Sequence, residues 1–140
     1  MMILLGLLAL QAAPQPAELR SFGDWIVGCD NGRACQAVAL ITYADETPQV
    51  TMTLRREAEG AAEPVIWINH GDARGGALEA DGRRLAARLI EAADAIIVHP
   101  ADAMAVADAI RTSRQMRLLD ASGTLLAEIS VSGASAAMLY

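Results

Sequence analysis

Residues 22–40 read Phe-Gly-Asp-Trp-Ile-Val-Gly-Cys-Asp-Asn-Gly-Arg-Ala-Cys-Gln-Ala-Val-Ala-Leu, and this stretch decides how the domain starts. Two runs of strand-forming residues, Trp25–Cys29 and Ala34–Ile41, flank the pair Asn31-Gly32. Asn and Gly both tolerate positive φ, so the pair suits a tight turn between two strands. The stretch therefore predicts a β-hairpin with its turn at Asp30–Arg33.

The N-terminal segment has the pattern of a signal peptide. Ile3 to Ala13 is apolar apart from Gln11, and small residues follow before the first charge at Glu18. A run of this length is too short to span a bilayer but fits the apolar region of a signal peptide. The alternative is a buried N-terminal helix that ends at Pro14. We predict a signal peptide at 1–17, one β-rich domain at 18–140, and a periplasmic or secreted protein.

The hairpin carries the only two cysteines, Cys29 and Cys35. An even number of cysteines in an exported protein favours a disulfide, and the turn would bring the two side chains within bonding distance. Closing so small a loop stabilises the fold by about 2 kcal/mol in the chain-entropy model. A redox pair would have Cys-x-x-Cys spacing, and a zinc site would need His70 and His99, which lack the spacing of ligand pairs. We predict a structural disulfide, no metal and no cofactor.

Composition excludes several classes of function. The chain has 140 residues, a net charge of −6 and eleven basic residues, all of them Arg. An acidic surface with dispersed arginines lacks the basic face that nucleic acids require. The absence of Lys excludes P-loop and Ser-x-x-Lys chemistry.

Alternation of apolar and polar residues predicts most of the strands. Pro48–Arg55 alternates cleanly and predicts a half-buried strand. Val65–Ile68 is continuously apolar, which predicts a central strand covered on both faces. Leu78–Ala80 and Arg84–Ile90 flank Asp81-Gly82 and predict a second hairpin. Further strands are predicted at Ala95–Val98, Met116–Leu119 and Thr124–Val131.

One helix has a clear signature. Pro100 suits the first helical position and Asp102 the first turn, and apolar residues then recur at helical spacing up to Ile110. His99 would cap this helix or pack beneath it. Gly133–Tyr140 predicts a short second helix. The chain is therefore mainly β: a compact antiparallel β-sandwich or barrel-like domain with one or two short helices.

Candidate catalytic residues are few. His70 and Asp72 share a polar loop in which the carboxylate would orient the imidazole, as in a hydrolase, but a surface-loop histidine is the favoured interpretation. Glu57, Glu59 and Glu63 cluster in a charged loop that reads as solvated rather than catalytic. Trp25 is interpreted as a structural anchor that packs against the disulfide, with Asn31 and Gly32 as structural turn residues.

Two segments carry a resemblance to a known family. Phe22-Gly-Asp-Trp-Ile-Val-Gly-Cys resembles the N-terminal signature of the bacterial family called domain of unknown function 1176. Ile129-Ser-Val-Ser-Gly-Ala-Ser-Ala-Ala-Met resembles that family's strand-to-helix segment. The order of these features is also similar to the invasion-associated locus B family. Both resemblances imply an exported envelope protein of proteobacteria without an established enzymatic activity.

These observations favour a non-catalytic module that binds another envelope protein or an envelope component. An inhibitor or chaperone-like partner of an envelope enzyme is the alternative, and a hydrolase using His70 and Asp72 is a third hypothesis. After removal of the signal peptide no segment could span a membrane. The sequence leaves the partner and the oligomeric state open, including homodimerisation through an exposed strand edge.

Overall fold

The structure, a computed structural model, describes residues 18–40, 50–58, 63–69 and 74–140. These residues form eleven strands and two helices. The strands are β1 (Arg20–Phe22), β2 (Trp25–Cys29), β3 (Cys35–Ala39), β4 (Thr51–Arg56), β5 (Val65–Asn69), β6 (Ala77–Ala80), β7 (Arg83–Arg84), β8 (Leu89–Glu91), β9 (Ala95–Val98), β10 (Met116–Leu119) and β11 (Leu125–Ile129). The helices are α1 (Pro100–Thr112) and α2 (Ala134–Leu139). The predicted signal peptide and the predicted strand ends at Ile41 and Pro48 lie outside the described residues.

Seven strands form a large antiparallel sheet in the order β1-β2-β3-β4-β5-β9-β8. The first five strands are neighbours in chain order, and β9 then inserts between β5 and β8. Alternate side chains of the central strands, such as Met52, Ile66 and Ile68, are fully buried. Because side chains alternate between the two faces of a strand, one face of this sheet lines the hydrophobic core.

A small sheet and both helices cover that face. The small antiparallel sheet has the order β11-β10-β6-β7. Helix α1 contacts β5 and β9, and α2 contacts β1, β2 and β3. The small sheet joins the same core where Gly75 lies between the side chains of Ile96 and Leu118. The mainly β fold with two antiparallel sheets and two short helices is confirmed, and within the described residues both sheets are open, as in a sandwich.

The prediction of one strand over Arg84–Ile90 is wrong. The hairpin around Asp81-Gly82 is present, but β7 ends at Arg84 and the chain crosses from the small sheet to the large one before β8. The crossing is held by one hydrogen bond to a side chain of α1 and by one that continues the pairing of β8 and β9. The backbone N–H of Arg88 donates to Asp102 Oδ2 (2.9 Å), and the Arg88 carbonyl accepts from His99 N (2.9 Å).

The prediction that Val65–Ile68 is covered on both faces is also wrong. Ile66 and Ile68 are buried, whereas Val65 is 47% exposed and Trp67 is half-buried. The strand is central in the large sheet, as predicted, but among the described residues the helices and the small sheet cover only one face of that sheet. No helix in the described part of the chain is long and apolar enough to cross a membrane.

Helix α1 begins with a well-defined cap. His99 is the N-cap residue, and its Nδ1 accepts from the backbone N–H of Ala101 (3.3 Å). Asp102 in the first turn accepts from both the backbone and the guanidinium of Arg88 (both 2.9 Å). The guanidinium hydrogen bond is the largest cause of a pKa of about 2 for Asp102, and the backbone hydrogen bond lowers the pKa further. One side chain therefore joins the start of α1 to the crossing segment.

The lowered pKa of Asp102 predicts a pH dependence of stability. The folded state favours the ionised carboxylate, so this stabilisation is present above the ordinary aspartate pKa of 3.8 and is lost as pH falls towards 2. The difference in free energy of unfolding between the wild-type protein and Asp102→Asn should shrink over that interval, as measured by urea unfolding at a series of pH values. Asp108→Asn is the control, because it removes a carboxylate from α1 without contacting Arg88. The same pH dependence in the control would contradict the assignment.

Candidate functional site

The tryptophan of the opening stretch anchors the two ends of the described domain. Trp25 is fully buried, and its indole Nε1–H donates to the carbonyl of Ser130 (3.0 Å). The hydroxyl of Ser130 donates to Asp24 Oδ2 (2.6 Å), and the backbone N–H of Asp24 donates to Ser132 O (3.0 Å). We call these contacts the Trp25–Ser130 junction. In these contacts, the polar groups of Asp24 and Ser130 hold the two segments of the chain together.

A glycine permits the close approach at this junction. Gly133 has φ +84°, and a Cβ at this position would overlap the carbonyl of Phe22. The two segments that carry the family resemblance are therefore in contact with each other. The expectation that Trp25 packs against the disulfide does not hold, because Trp25 pairs with Ala39 at the other end of the hairpin from the cysteines. Trp25 and Cys29 are four residue positions apart along the strand, about 13 Å.

The predicted disulfide hairpin is present. Cys29 and Cys35 face each other across β2 and β3 and are bonded. The turn spans Asp30–Arg33, as predicted, and is closed by Arg33 N–H donating to Asp30 O (3.0 Å). The disulfide fixes the pairing of the two strands next to this turn.

The conformation of the turn differs from the prediction. The residue with positive φ is Arg33 (φ 67°), and neither Asn31 nor Gly32 has positive φ. Asp30 Oδ1 accepts from the backbone N–H groups of Gly32 (2.8 Å) and Ala34 (2.9 Å). This geometry is a type I turn followed by a left-handed residue, the common three-residue hairpin loop.

A second turn in the chain repeats this arrangement. Asp120 Oδ1 accepts from the N–H groups of Ser122 (2.8 Å) and Thr124 (2.9 Å), and Gly123 N–H donates to Asp120 O (3.1 Å). Hydrogen bonds from the Ser122 hydroxyl and from these N–H groups lower the pKa of Asp120. The left-handed position is occupied by Gly123 (φ 87°) here, and by Arg33 in the first turn.

In the part of the chain that the structure describes, the face of the large sheet opposite the helices and the small sheet carries a continuous row of mostly apolar side chains. We call this face the outer face, and its central row the outer row. The members of the row are directly opposite one another on six successive strands: Ile26, Val38, Thr53, Trp67, Ile97 and Ile90. Both sequence neighbours of the first five belong to the core, and Ile90 is directly opposite Ile97, so alternation and register place the row on the opposite face. Thr53 lies between Val38 and Trp67 and is only 3% exposed.

Exposed aliphatic side chains lie on both sides of the outer row. Val65 is on one side, opposite Arg55, and Leu40 (42% exposed) is on the other. Leu40 N–H donates to Asp24 O (2.6 Å), which extends the pairing of β2 and β3 by one residue. Ile90 (44% exposed) ends the row at the sheet edge. Contiguous exposed apolar surface of this kind marks interaction sites in soluble proteins.

A groove opens on the Val65 side of the row. It encloses about 350 Å³. Its lining includes Leu19, Ile26, Gly28, Gln36, Val38 and Arg55. Leu19 lies against Gly28, where a Cβ would come within 2.6 Å of Leu19 Cδ2. Arg55 is held by Glu57 (2.7 Å), and this hydrogen bond is the largest cause of the raised pKa of Arg55.

The small sheet presents a different outer surface. Charged residues of alternating sign face each other across its four strands: Arg84, Glu79, Arg117 and Glu128. Arg117 pairs with Glu79 (3.7 Å) and with Glu128 (3.5 Å). This surface is the kind that a sheet presents to water. The apolar outer face of the large sheet is therefore not a general property of the sheets in this chain.

The structure does not describe most of the residues that were considered as catalytic candidates. His70, Asp72 and Glu59 lie outside the described residues. His99 is used as the cap of α1, and Glu57 pairs with Arg55. Among the residues that the structure describes, no three His, Cys, Asp or Glu side chains are arranged to hold a metal ion. The sequence analysis did not identify the outer row. Trp67 in the row and Val65 beside it were the apolar residues that could have indicated it.

Comparisons with known proteins give one result. A family model described as Protein of unknown function (DUF1176) matches residues 19–140. The match confirms the first resemblance drawn from the sequence and does not show the similarity to the invasion-associated locus B family. No curated protein and no solved structure matched the chain.

The two equivalent turns provide a matched pair of substitutions. Arg33→Gly removes the cost of a left-handed non-glycine residue, so the free energy of unfolding should rise by about 0.5–1 kcal/mol. Gly123→Arg introduces the same cost, and since no atom lies within 4 Å of a Cβ there, it should lower the free energy by about 1 kcal/mol. Urea unfolding measures both. A destabilising Arg33→Gly together with a neutral Gly123→Arg would show that the two turns are not equivalent.

Proposed function

The chain belongs to the family of proteins of unknown function DUF1176, and we propose that it is an exported, non-catalytic interaction module. Its interaction surface is the outer face of the large sheet, and its partner is a protein. The observation that carries the proposal is the outer row, which extends apolar side chains across six strands of a face that the helices and the small sheet leave uncovered.

The shape of the outer face favours a protein partner. Six strands at a spacing of about 4.8 Å place Ile26 and Ile90 roughly 24 Å apart. A broad sheet face of this kind matches the surface of another protein better than it encloses a small molecule, since small-molecule sites are concave and bury most of their ligand. We assign the groove beside Gly28, a concavity on this face, to a side chain of the partner.

The arrangement of the carboxylates supports a non-catalytic role. Several aspartates accept hydrogen bonds that hold the backbone in place: Asp30, Asp81, Asp102 and Asp120. A general acid or base needs a proton that it can exchange with a substrate. Carboxylates committed to turns and crossings are poorly suited to that task.

The proposal of export rests on the apolar segment 3–13 and on the bonded cysteine pair. Disulfides persist in oxidising compartments such as the periplasm. The protein isolated from the cells that encode it should therefore lack an N-terminal segment that ends within residues 12–17. Cys29 and Cys35 should react with an alkylating reagent only after reduction.

Intact mass spectrometry with and without reductant measures both features. Cells treated with an inhibitor of the export pathway provide the control, in which the uncleaved chain should accumulate. An uncleaved chain with two free thiols in untreated cells would contradict export.

Site-specific photo-crosslinking tests the interaction surface. p-Benzoylphenylalanine in place of Val65, which is exposed on the outer face, should give a crosslinked protein adduct in the cells that encode the chain. The same residue in place of Met104, which is 56% exposed on α1, should not. Adducts are detected by gel mobility and identified by mass spectrometry. Adducts at both positions in equal amount, or at neither, would contradict the proposed surface.

A further inference from the structure

We propose that the protein seated on the outer face is a second copy of this chain, packed face to face about a twofold axis that runs along the outer row. This inference rests on the proposed function, since it names the partner of the same surface. It requires that the face be complementary to itself, because a twofold interface uses the same patch on both copies.

The shape of the face meets this requirement. On β3, Leu40 lies two residues from Val38 on one side of the row, and Gln36 lies two residues from it on the other. Each step is about 6.6 Å along the strand. A twofold axis along the row exchanges the two sides, so Leu40 of one copy lies over Gln36 of the other. The groove beside Gly28 is at this position, and its lining includes the apolar side chains of Leu19, Ile26 and Val38.

The positions of the charged side chains on the outer face favour the same twofold axis along the outer row. In the described residues, Arg55 and its partner Glu57 lie on the groove side of the row, and Thr51 lies on the Leu40 side of β4. The axis along the row therefore places Arg55 opposite Thr51 of the second copy. An axis parallel to the strands and centred on β4 would instead stack Arg55 on its own copy, which costs energy. The first arrangement also keeps the strands of the two sheets roughly aligned, as in sheet-on-sheet packing.

The available area is compatible with a specific dimer. Six strand spacings of about 4.8 Å and three rows of side chains give a footprint of roughly 30 by 20 Å. The accessible area of a side-chain surface exceeds its footprint, so the face approaches the roughly 800 Å² per partner of a standard interface. The strand edges of the large sheet are less suitable, since β1 and β8 have only three residues each.

Sedimentation equilibrium of the purified, processed protein over a wide concentration range tests the inference. The wild-type protein should show a concentration-dependent mass that rises towards twice that of one chain. Val38→Arg places a positive charge on the axis opposite its own copy, so this variant should remain monomeric at every concentration. Leu125→Arg is the matched control, because it adds the same charge at a leucine that is exposed on the small sheet, and it should associate like the wild-type protein.

A crosslinking measurement checks the geometry without relying on the folding of Val38→Arg. Chains carrying Leu40→Cys are mixed with mass-tagged chains carrying Gln36→Cys and treated with a short bismaleimide. The native cysteines are bonded to each other and do not react. The mixture should give crosslinked pairs of one chain of each kind, in large excess over either variant alone.

A monomer at all concentrations, or crosslinking without preference for the mixed pair, would overturn the inference. The photo-adduct formed at residue 65 then separates the two proposals. An adduct of twice the chain mass supports the second copy. An adduct of another mass leaves the proposed interaction surface intact and overturns only the identity of its occupant, whereas no adduct, in a protein that stays monomeric, overturns both.

Discussion

The indole hydrogen bond from Trp25 to the carbonyl of Ser130 joins residues 105 positions apart, and the arrangement of both sheets depends on it. β2 belongs to the large sheet, and Ser130 directly follows β11 of the small sheet. The buried ring fixes where the two sheets meet, and the surrounding hydrogen bonds of Asp24 and Ser132 leave no alternative register there. A buried indole without an acceptor would cost the full desolvation of its N–H. The polar groups of Asp24, Trp25 and Ser130 are thus used to hold the two sheets together.

The outer surfaces of the two sheets differ in composition. The small sheet pairs opposite charges across its strands, as a solvated sheet does, whereas the large sheet places Ile26, Val38, Trp67 and Ile97 side by side on a surface without a covering layer. The outer surface of the small sheet therefore serves as an internal comparison for the outer face of the large sheet. By that comparison, the apolar outer face is the surface of the described domain that differs most from a solvated sheet, and the groove beside Gly28 opens on it.

Local sequence signals predicted the local structure well. The hairpin of Cys29 and Cys35, the alternating strand ending at Arg55 and the helix starting at Pro100 all depend on neighbours within a few residues, and the sequence shows those neighbours directly. The crossing after Arg84 was not predicted, because it is held by Asp102, a residue of a later element.

The outer row escaped prediction for a similar reason. Its members come from six strands and become neighbours only through the cross-strand register, which periodicity within one strand does not contain. The turn at Asp30 shows that a sequence pattern can locate a turn without fixing its conformation. The Asn31-Gly32 pair located the turn, but the carboxylate of Asp30 selected the type I geometry and moved the left-handed residue to Arg33.

The Trp25–Ser130 junction also sets the order in which this domain can fold. β2 and β3 can pair as soon as residue 39 is available, but Trp25 has no acceptor until the chain has been made beyond Ser130. Contacts of such long sequence separation slow folding, because the intervening chain must be ordered before they form. The hairpin can therefore form early, but the indole of Trp25 gains its acceptor only when almost the whole domain has been synthesised.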